Sequence, residues 1–184
     1  MKKSIVDARE IMNMEDMLED MYERQIQLDK MVMDKAEVEY YEVFDRVKKA
    51  LVIEVAEFIN EGKSFKYWSV KNPDKDRLID ELADVLHFTT SLMTFLNKPI
   101  SITFETINGF LDRYSLEDLE NMLIGSTTTI LTVTVDPTEL ELMLNHVFNL
   151  TYAIGFKHGF NLAQIHTAYQ AKNDINIQRQ LNNY

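Results

Sequence analysis

From Ala36 to Gly62 the chain runs without a glycine or proline until its final residue, and apolar side chains recur along it at helical spacing. Its last third, ALVIEVAEFI over residues 50–59, is apolar nearly all round. A surface helix buries one stripe, so a helix of this kind must be enclosed by other elements. That demand selects packing of helix on helix. Only five glycines and three prolines occur in 184 residues, which favours long regular elements over loop-rich sandwiches. The length suits one domain with its own core, and we expect a single all-α unit over 1–184, built as a helical bundle.

The neighbouring segments agree. Met17, Leu18, Met21, Tyr22, Leu28, Met31 and Val32 recur at helical spacing and predict an amphipathic helix from Glu15 to about Met33. The segment KSFKYWSVKNP is a connection, with Gly62 before it as a helix-ending residue. Asn72 and Pro73 mark the start of a third helix running to about Asn97. Ser115 and Asp118 resemble a capping box, which predicts a short helix closed at Gly125. After it, TTTILTVTV carries a strand signal by propensity, while a lone strand in a helical protein has no partner, so strand and helix both stay open there. Asp136 and Pro137 open another helix ending near Gly155, and a last one starts near Leu162.

Lys and Arg number 19 against 30 Asp and Glu, a net charge of −11, which argues against coating a nucleic-acid polymer. Cysteine is absent, so disulfides and thiolate chemistry are excluded, in keeping with a reducing, cytoplasmic setting. The opening MKKSIVDAREIM has no apolar run after its lysines, and no stretch approaches the ~18 apolar residues of a membrane span. We expect neither export nor membrane insertion.

Two carboxylates interrupt the apolar run, Glu54 and Glu57. Three residues apart on a helix, they lie about 60° apart around the axis and share a face. The third helix repeats the pattern as Glu81 and Asp84, after a gap of 23 residues that allows antiparallel packing of the two pairs. Four converging carboxylates need a compensating cation. Neither Ala50–Ile59 nor Leu78–Leu96 holds a Lys or Arg, and hard oxygen donors select Mg²⁺ or Mn²⁺. The alternative is that each pair simply faces solvent. Asp84 and His87 have the spacing of a di-iron ligand motif, but such bundles need it on two helices, and His146, His158 and His166 have no acid three residues before them.

Glu54-x-x-Glu57, the gap, and Glu81-x-x-Asp84 resemble the signature of the all-α nucleoside triphosphate pyrophosphatases, the MazG-like superfamily. With QIQLD at 25–29, FKYW at 65–68 and AYQAKNDINIQRQLNNY at 168–184, the chain is similar to the dimeric dUTPases over roughly 15–97 and 155–184. Residues 99–135 read as a variable insert. The resemblance implies a homodimer that hydrolyses dUTP to dUMP and pyrophosphate through a metal-activated water, with dUDP, which would release phosphate instead, as a further candidate substrate. It assigns Glu54, Glu57, Glu81 and Asp84 to two or three Mg²⁺ ions, with Mn²⁺ as a substitute and Glu57 as general base. Gln25 and Asp29 would face uracil, with Phe65 and Trp68 bordering the base. Lys66, Tyr169, Lys172, Asn176, Arg179 and Tyr184 would hold phosphates. Of these, Tyr169, Lys172, Asn176 and Arg179 fall at i, i+3, i+7 and i+10 and form one helical stripe, suited to gripping an anion. Asp29 stands where some family members carry asparagine; ionised, it accepts from the N3–H of uracil and repels the bare N3 of cytosine.

Two other readings share the scaffold. One is a pyrophosphatase acting on another nucleotide such as dCTP. The other is a protein that binds a regulator, for instance a transcriptional repressor, through residues 99–135. A pure binding module has no need of the four carboxylates.

Overall fold

Helix caps and helix-breaking geometry divide the sequence into seven helices among the described residues. The computed structural model describes residues 8–182, with side chains from Met14 onward; Tyr184, expected at the phosphates, lies outside them. The helices are α1 (Ala8–Ala36), α2 (Tyr40–Gly62), α3 (Lys75–Phe95), α4 (Phe104–Arg113), α5 (Leu116–Thr132), α6 (Pro137–Lys157) and α7 (Leu162–Leu181). No helix among the described residues is long and apolar enough to cross a membrane.

α1 and α2 are separate because Glu37 takes a left-handed φ of 53°, and a capping box between Glu39 and Glu42 then restarts the helix. Gly62 does not supply the left-handed turn expected of it. It is the last helical residue, and Lys63 takes the turn at φ 60°. Gly62 serves a close approach instead, since a Cβ there would lie 3.3 Å from His158 Nε2 and 3.5 Å from Glu120 Oε1. Gly155 likewise sits inside α6, not at its end, because a Cβ there would come within 2.8 Å of Leu82 Cδ1. The cap of α3 is Asp74, two residues after Asn72, since the Asp74 carboxylate accepts from the Asp76 and Arg77 amides.

The middle of the chain departs most from expectation. α4 is an additional helix, started by Thr103. α5 does not stop at Gly125 but runs on to Thr132, so the strand alternative fails. Thr127 and Ile130 are buried there, and the hydroxyls of Thr127, Thr129 and Thr132 donate to carbonyls one turn back. Packing and these bonds outweigh β propensity. Ile107, Phe110, Leu119 and Leu123 also enter the core, so residues 99–135 are part of the bundle's interior.

The helix enclosed on all sides is α6, buried continuously from Val147 to Gly155. α2 meets α3 antiparallel: Tyr40 and Phe44 lie against Phe95, while Glu61 reaches Arg77 at the far end. α1 and α7 run parallel, joined by Asp20 to His166 and Arg24 to Asp174. Contrary to the expected enclosure, α2 leaves Ile53, Ala56, Glu57 and Asn60 exposed on one face. The antiparallel α2–α3 pair is what brings the two carboxylate pairs level.

Candidate active site

Glu54 and Glu57 project from α2 toward Glu81 on α3, and one carboxylate oxygen from each lies within 4.8 Å of the others. Glu57 is exposed and the other two are half-buried. Burial first, then Asp84, Glu57 and Glu81, pushes Glu54 up to about 7. Burial and the neighbouring Asp84 and Glu57 raise Glu81 as well. Oxygens around a Mg²⁺ ion stand about 2.1 Å from it, so opposed ligands are roughly 4.2 Å apart, close to the spacing here.

Asp84 stands beside this trio and is held by Lys172, whose Nζ lies 2.6 Å from Asp84 and 2.9 Å from Asp80. Burial raises Asp84 in spite of that partner. Burial pulls Lys172 down, but its bonds to Asp84 and Asp80 outweigh this and raise it. The cation that Ala50–Ile59 and Leu78–Leu96 lack is thus supplied by α7. One lysine against five carboxylates leaves the cluster with surplus negative charge.

A hollow of about 360 Å³ opens next to the cluster, between α1, α2, α3 and α7. Leu28, Val43, Val47, Phe88 and Phe95 give it apolar walls, and Gln25, Asp29, Arg46, His87 and Asn176 give it polar points. Gln25 Nε2 donates to Asp29 Oδ1 at 2.8 Å, and the Thr94 hydroxyl lies 3.0 Å from Asp29 Oδ2. Burial pushes Asp29 up to about 6 despite these bonds. Behind Gln25, its Oε1 meets His87 Nδ1 at 2.7 Å and the Tyr169 hydroxyl at 2.9 Å. His87 stacks on the Tyr169 ring, with centroids 3.9 Å apart.

The remaining expected site residues separate. Asn176 lines the hollow, and Arg179 lies a turn beyond it, donating to Asn176 Oδ1 at 3.0 Å. Tyr169 belongs to the same stripe in sequence but is fully buried, with its hydroxyl on the Met21 carbonyl and Gln25. It supports the hollow from behind and does not face an anion. Phe65, Lys66 and Trp68 are not brought to the hollow at all. Gly62 is 16 residues beyond Arg46 on α2, about 24 Å along the helix. Phe65 lines a second hollow with Ile59 and Ile124, Trp68 packs edge-on to it with 65% exposure, and Lys66 donates to the Asn60 carbonyl.

Sequence reasoning missed Arg46, Asp80 and Thr94. Arg46 had a signal: it stands three helical turns before Glu57, on the carboxylate face of α2. Asp80 had one too, since it stands four residues before Asp84 on the same face of α3; Thr94 had none that spacing reveals.

The helical bundle sets a carboxylate cluster beside a mostly apolar hollow, an arrangement that can hold a small molecule by its apolar part next to charged groups. The family model described as dUTPase matches residues 17–184, and the chain belongs to that family, the dimeric all-α dUTPases. No curated protein matches the chain.

Proposed function

We infer that this protein hydrolyses dUTP to dUMP and pyrophosphate with the help of Mg²⁺. The observation that carries the reading is the convergence of Glu54, Glu57 and Glu81 within 4.8 Å, next to a pocket floored by Gln25 and Asp29. Divalent ions held by Glu54, Glu57, Glu81 and Asp84 would neutralise the triphosphate and acidify a water. Glu57, the most accessible of the four, takes the proton of the attacking water. Lys172, Asn176 and Arg179 line the approach from α7 and grip the phosphates, with Lys172 exchanging Asp84 for a phosphate oxygen. Asp29 accepts from the N3–H of uracil, and the apolar walls exclude water from the base.

The reading includes a homodimer acting on free nucleotides in the cytoplasm. Its support is the open face of α2, where Ile53 is 50% exposed, and the neighbouring Ile124 of α5 at 44%. The Phe65–Trp68 loop flanks that face, and its contacts are assigned to the site of the second copy.

Pyrophosphate release from each common deoxynucleoside triphosphate, with Mg²⁺ and with chelator, tests the reading. Turnover of dUTP that chelation abolishes is expected. Preference for dCTP would overturn the uracil assignment of Gln25 and Asp29.

A further inference from the structure

Glu120 is an acid in a core position. It stands on α5 beside Leu119 and one turn before Leu123, both of them buried, and is itself only 3% exposed. The Ser64 hydroxyl donates to its Oε2, whereas Oε1 is buried without a hydrogen-bond partner among the described residues. Burial pushes Glu120 up, and the bond from Ser64 draws it back down. A buried carboxyl with one bare oxygen costs stability that an apolar side chain there would not. Its presence calls for a role beyond packing.

The missing side chain of Gly62 leaves room for this carboxyl. Oε1 comes within 3.5 Å of the point where a Cβ of Gly62 would stand, and His158 Nε2 comes within 3.3 Å of the same point. His158 caps α6, and the Lys75 ammonium donates to its carbonyl. Burial pulls the ring down to about 4, so it is neutral near pH 7 and offers Glu120 no counter-charge. Glu120 thus rests over the end of α2 and beside the cap of α6, while its bonded oxygen leads to the segment that follows α2.

Ser64 opens that segment, directly before Phe65. Lys66 Nζ donates to the Asn60 carbonyl at 2.8 Å, Lys63 Nζ reaches the Asn72 carbonyl at 3.1 Å, and the Lys66 and Ser69 amides close turns on the Lys63 and Lys66 carbonyls. These bonds hold the segment to α2 and to itself. The Ser64–Glu120 bond holds it to α5. Phe65 then lines the hollow of about 340 Å³ that Ile59, Glu120 and Ile124 also line, and Trp68 packs edge-on against Phe65 with centroids 6.0 Å apart. Fixing Ser64 fixes the entry of the chain to Phe65, and through that ring the seat of Trp68.

We propose, resting on the assignment of the Phe65–Trp68 loop to the site of the second copy, that Glu120 is a positioning residue for that loop. Its carboxyl holds Ser64, Ser64 sets the start of the loop, and Phe65 and Trp68 are presented to the neighbouring site in one arrangement. Residues 99–135 enter the function in this way, through α5, without touching substrate. A loop ordered before the nucleotide arrives loses less freedom on binding. The loop borders the base and stands away from the reacting phosphates, so its order bears on KM and leaves kcat alone.

The experiment is steady-state turnover of dUTP by the full chain with Mg²⁺, alongside fluorescence anisotropy of Trp68, the single tryptophan, without nucleotide. Ser64→Ala removes the bond from its exposed side and leaves the core untouched. It should lower kcat/KM about tenfold, through KM with kcat unchanged, and lower the anisotropy of Trp68. Ser64→Thr, which returns a hydroxyl, should restore both. Glu120→Ala should match Ser64→Ala, and combining the two should add nothing further; if Glu120→Ala does not fold, Ser64→Ala and its rescue decide alone. Wild-type KM and anisotropy in Ser64→Ala, a loss that falls on kcat, or losses that add in the double variant overturn the positioning role and leave the dUTPase reading intact. Absence of dUTP turnover in the unmodified chain overturns that underlying reading, while the anisotropy of Trp68 still decides whether Glu120 holds the loop.

Discussion

Asp29 of α1, at the hollow end of the site, and Glu54 of α2, in the carboxylate cluster at the other end, are both partly buried acids, and their surroundings treat them differently. Asp29 is raised to about 6, yet each of its oxygens has a neutral donor within 3.0 Å, Gln25 or Thr94. Glu54 is raised to about 7 and is attended mainly by other carboxylates, with Lys172 the one cation that lowers it. The first arrangement is complete within the chain. The second keeps surplus negative charge, and on the proposed reading it is there that a divalent cation would bind.

Removing a reacting group tests the carboxylate end hardest. Glu57→Gln keeps the side chain's shape and removes the base, so kcat should fall about 10³-fold while the fold and dUTP binding persist. Thermal melts and nucleotide titration alongside turnover would check this. Wild-type turnover would show that the exposed carboxylate is only a surface charge.

Lys172→Met probes the α7 cation that bonds directly to Asp80 and Asp84. A hydrogen bond to a charged group contributes about 2 kcal/mol, so kcat/KM for dUTP should fall about 30-fold, chiefly through KM. The same variant should melt lower without Mg²⁺, because Asp80 and Asp84 lose the ammonium now 2.9 and 2.6 Å away. Saturating Mg²⁺ should narrow that gap, and an equal loss with and without the ion would separate Lys172 from the carboxylate function.

The two ends also differ in how far the sequence reveals them. Glu54, Glu57, Glu81 and Asp84 stand out because charge at i, i+3 inside an apolar helix is anomalous within a few residues of sequence. The pocket's support is invisible at that range. His87 meets Gln25 across 62 positions, Thr94 meets Asp29 across 65, and Tyr169 meets Gln25 across 144. A periodic stripe placed Tyr169 with Lys172 and Asn176, but periodicity gives a helix face without saying that one turn of it is buried. The same limit misled at α5, where local β propensity concealed a helix that Thr127 and Ile130 hold against the core. Gly62 reads in the sequence as a helix-ending residue, while in the structure it serves the close approach of His158 and Glu120.

Stability gives the finest comparison of the two ends, because Asp29 contributes with a definite sign. Its folded-state pKa of about 6 lies above the model-peptide value of 3.8, so the native state binds more protons than the unfolded chain between those pH values. Asp29 therefore destabilises the fold above pH 6, and that penalty is relieved as the pH falls from 6 toward 4. A shift of about 2 units sets a ceiling of roughly 3 kcal/mol. Asn in its place keeps an acceptor for Gln25 or Thr94 and adds an amide to be satisfied, so Asp29→Asn should stabilise by about 1 kcal/mol at pH 8. Urea unfolding of both proteins with chelator should show the gain shrinking below pH 6. The carboxylates of α2 and α3 are common to both chains and cancel in the difference. A gain that stays level from pH 8 to pH 5 would mean that Asp29 is solvated, and the contrast between a self-contained acid and an uncompensated cluster would then fail at the pocket end.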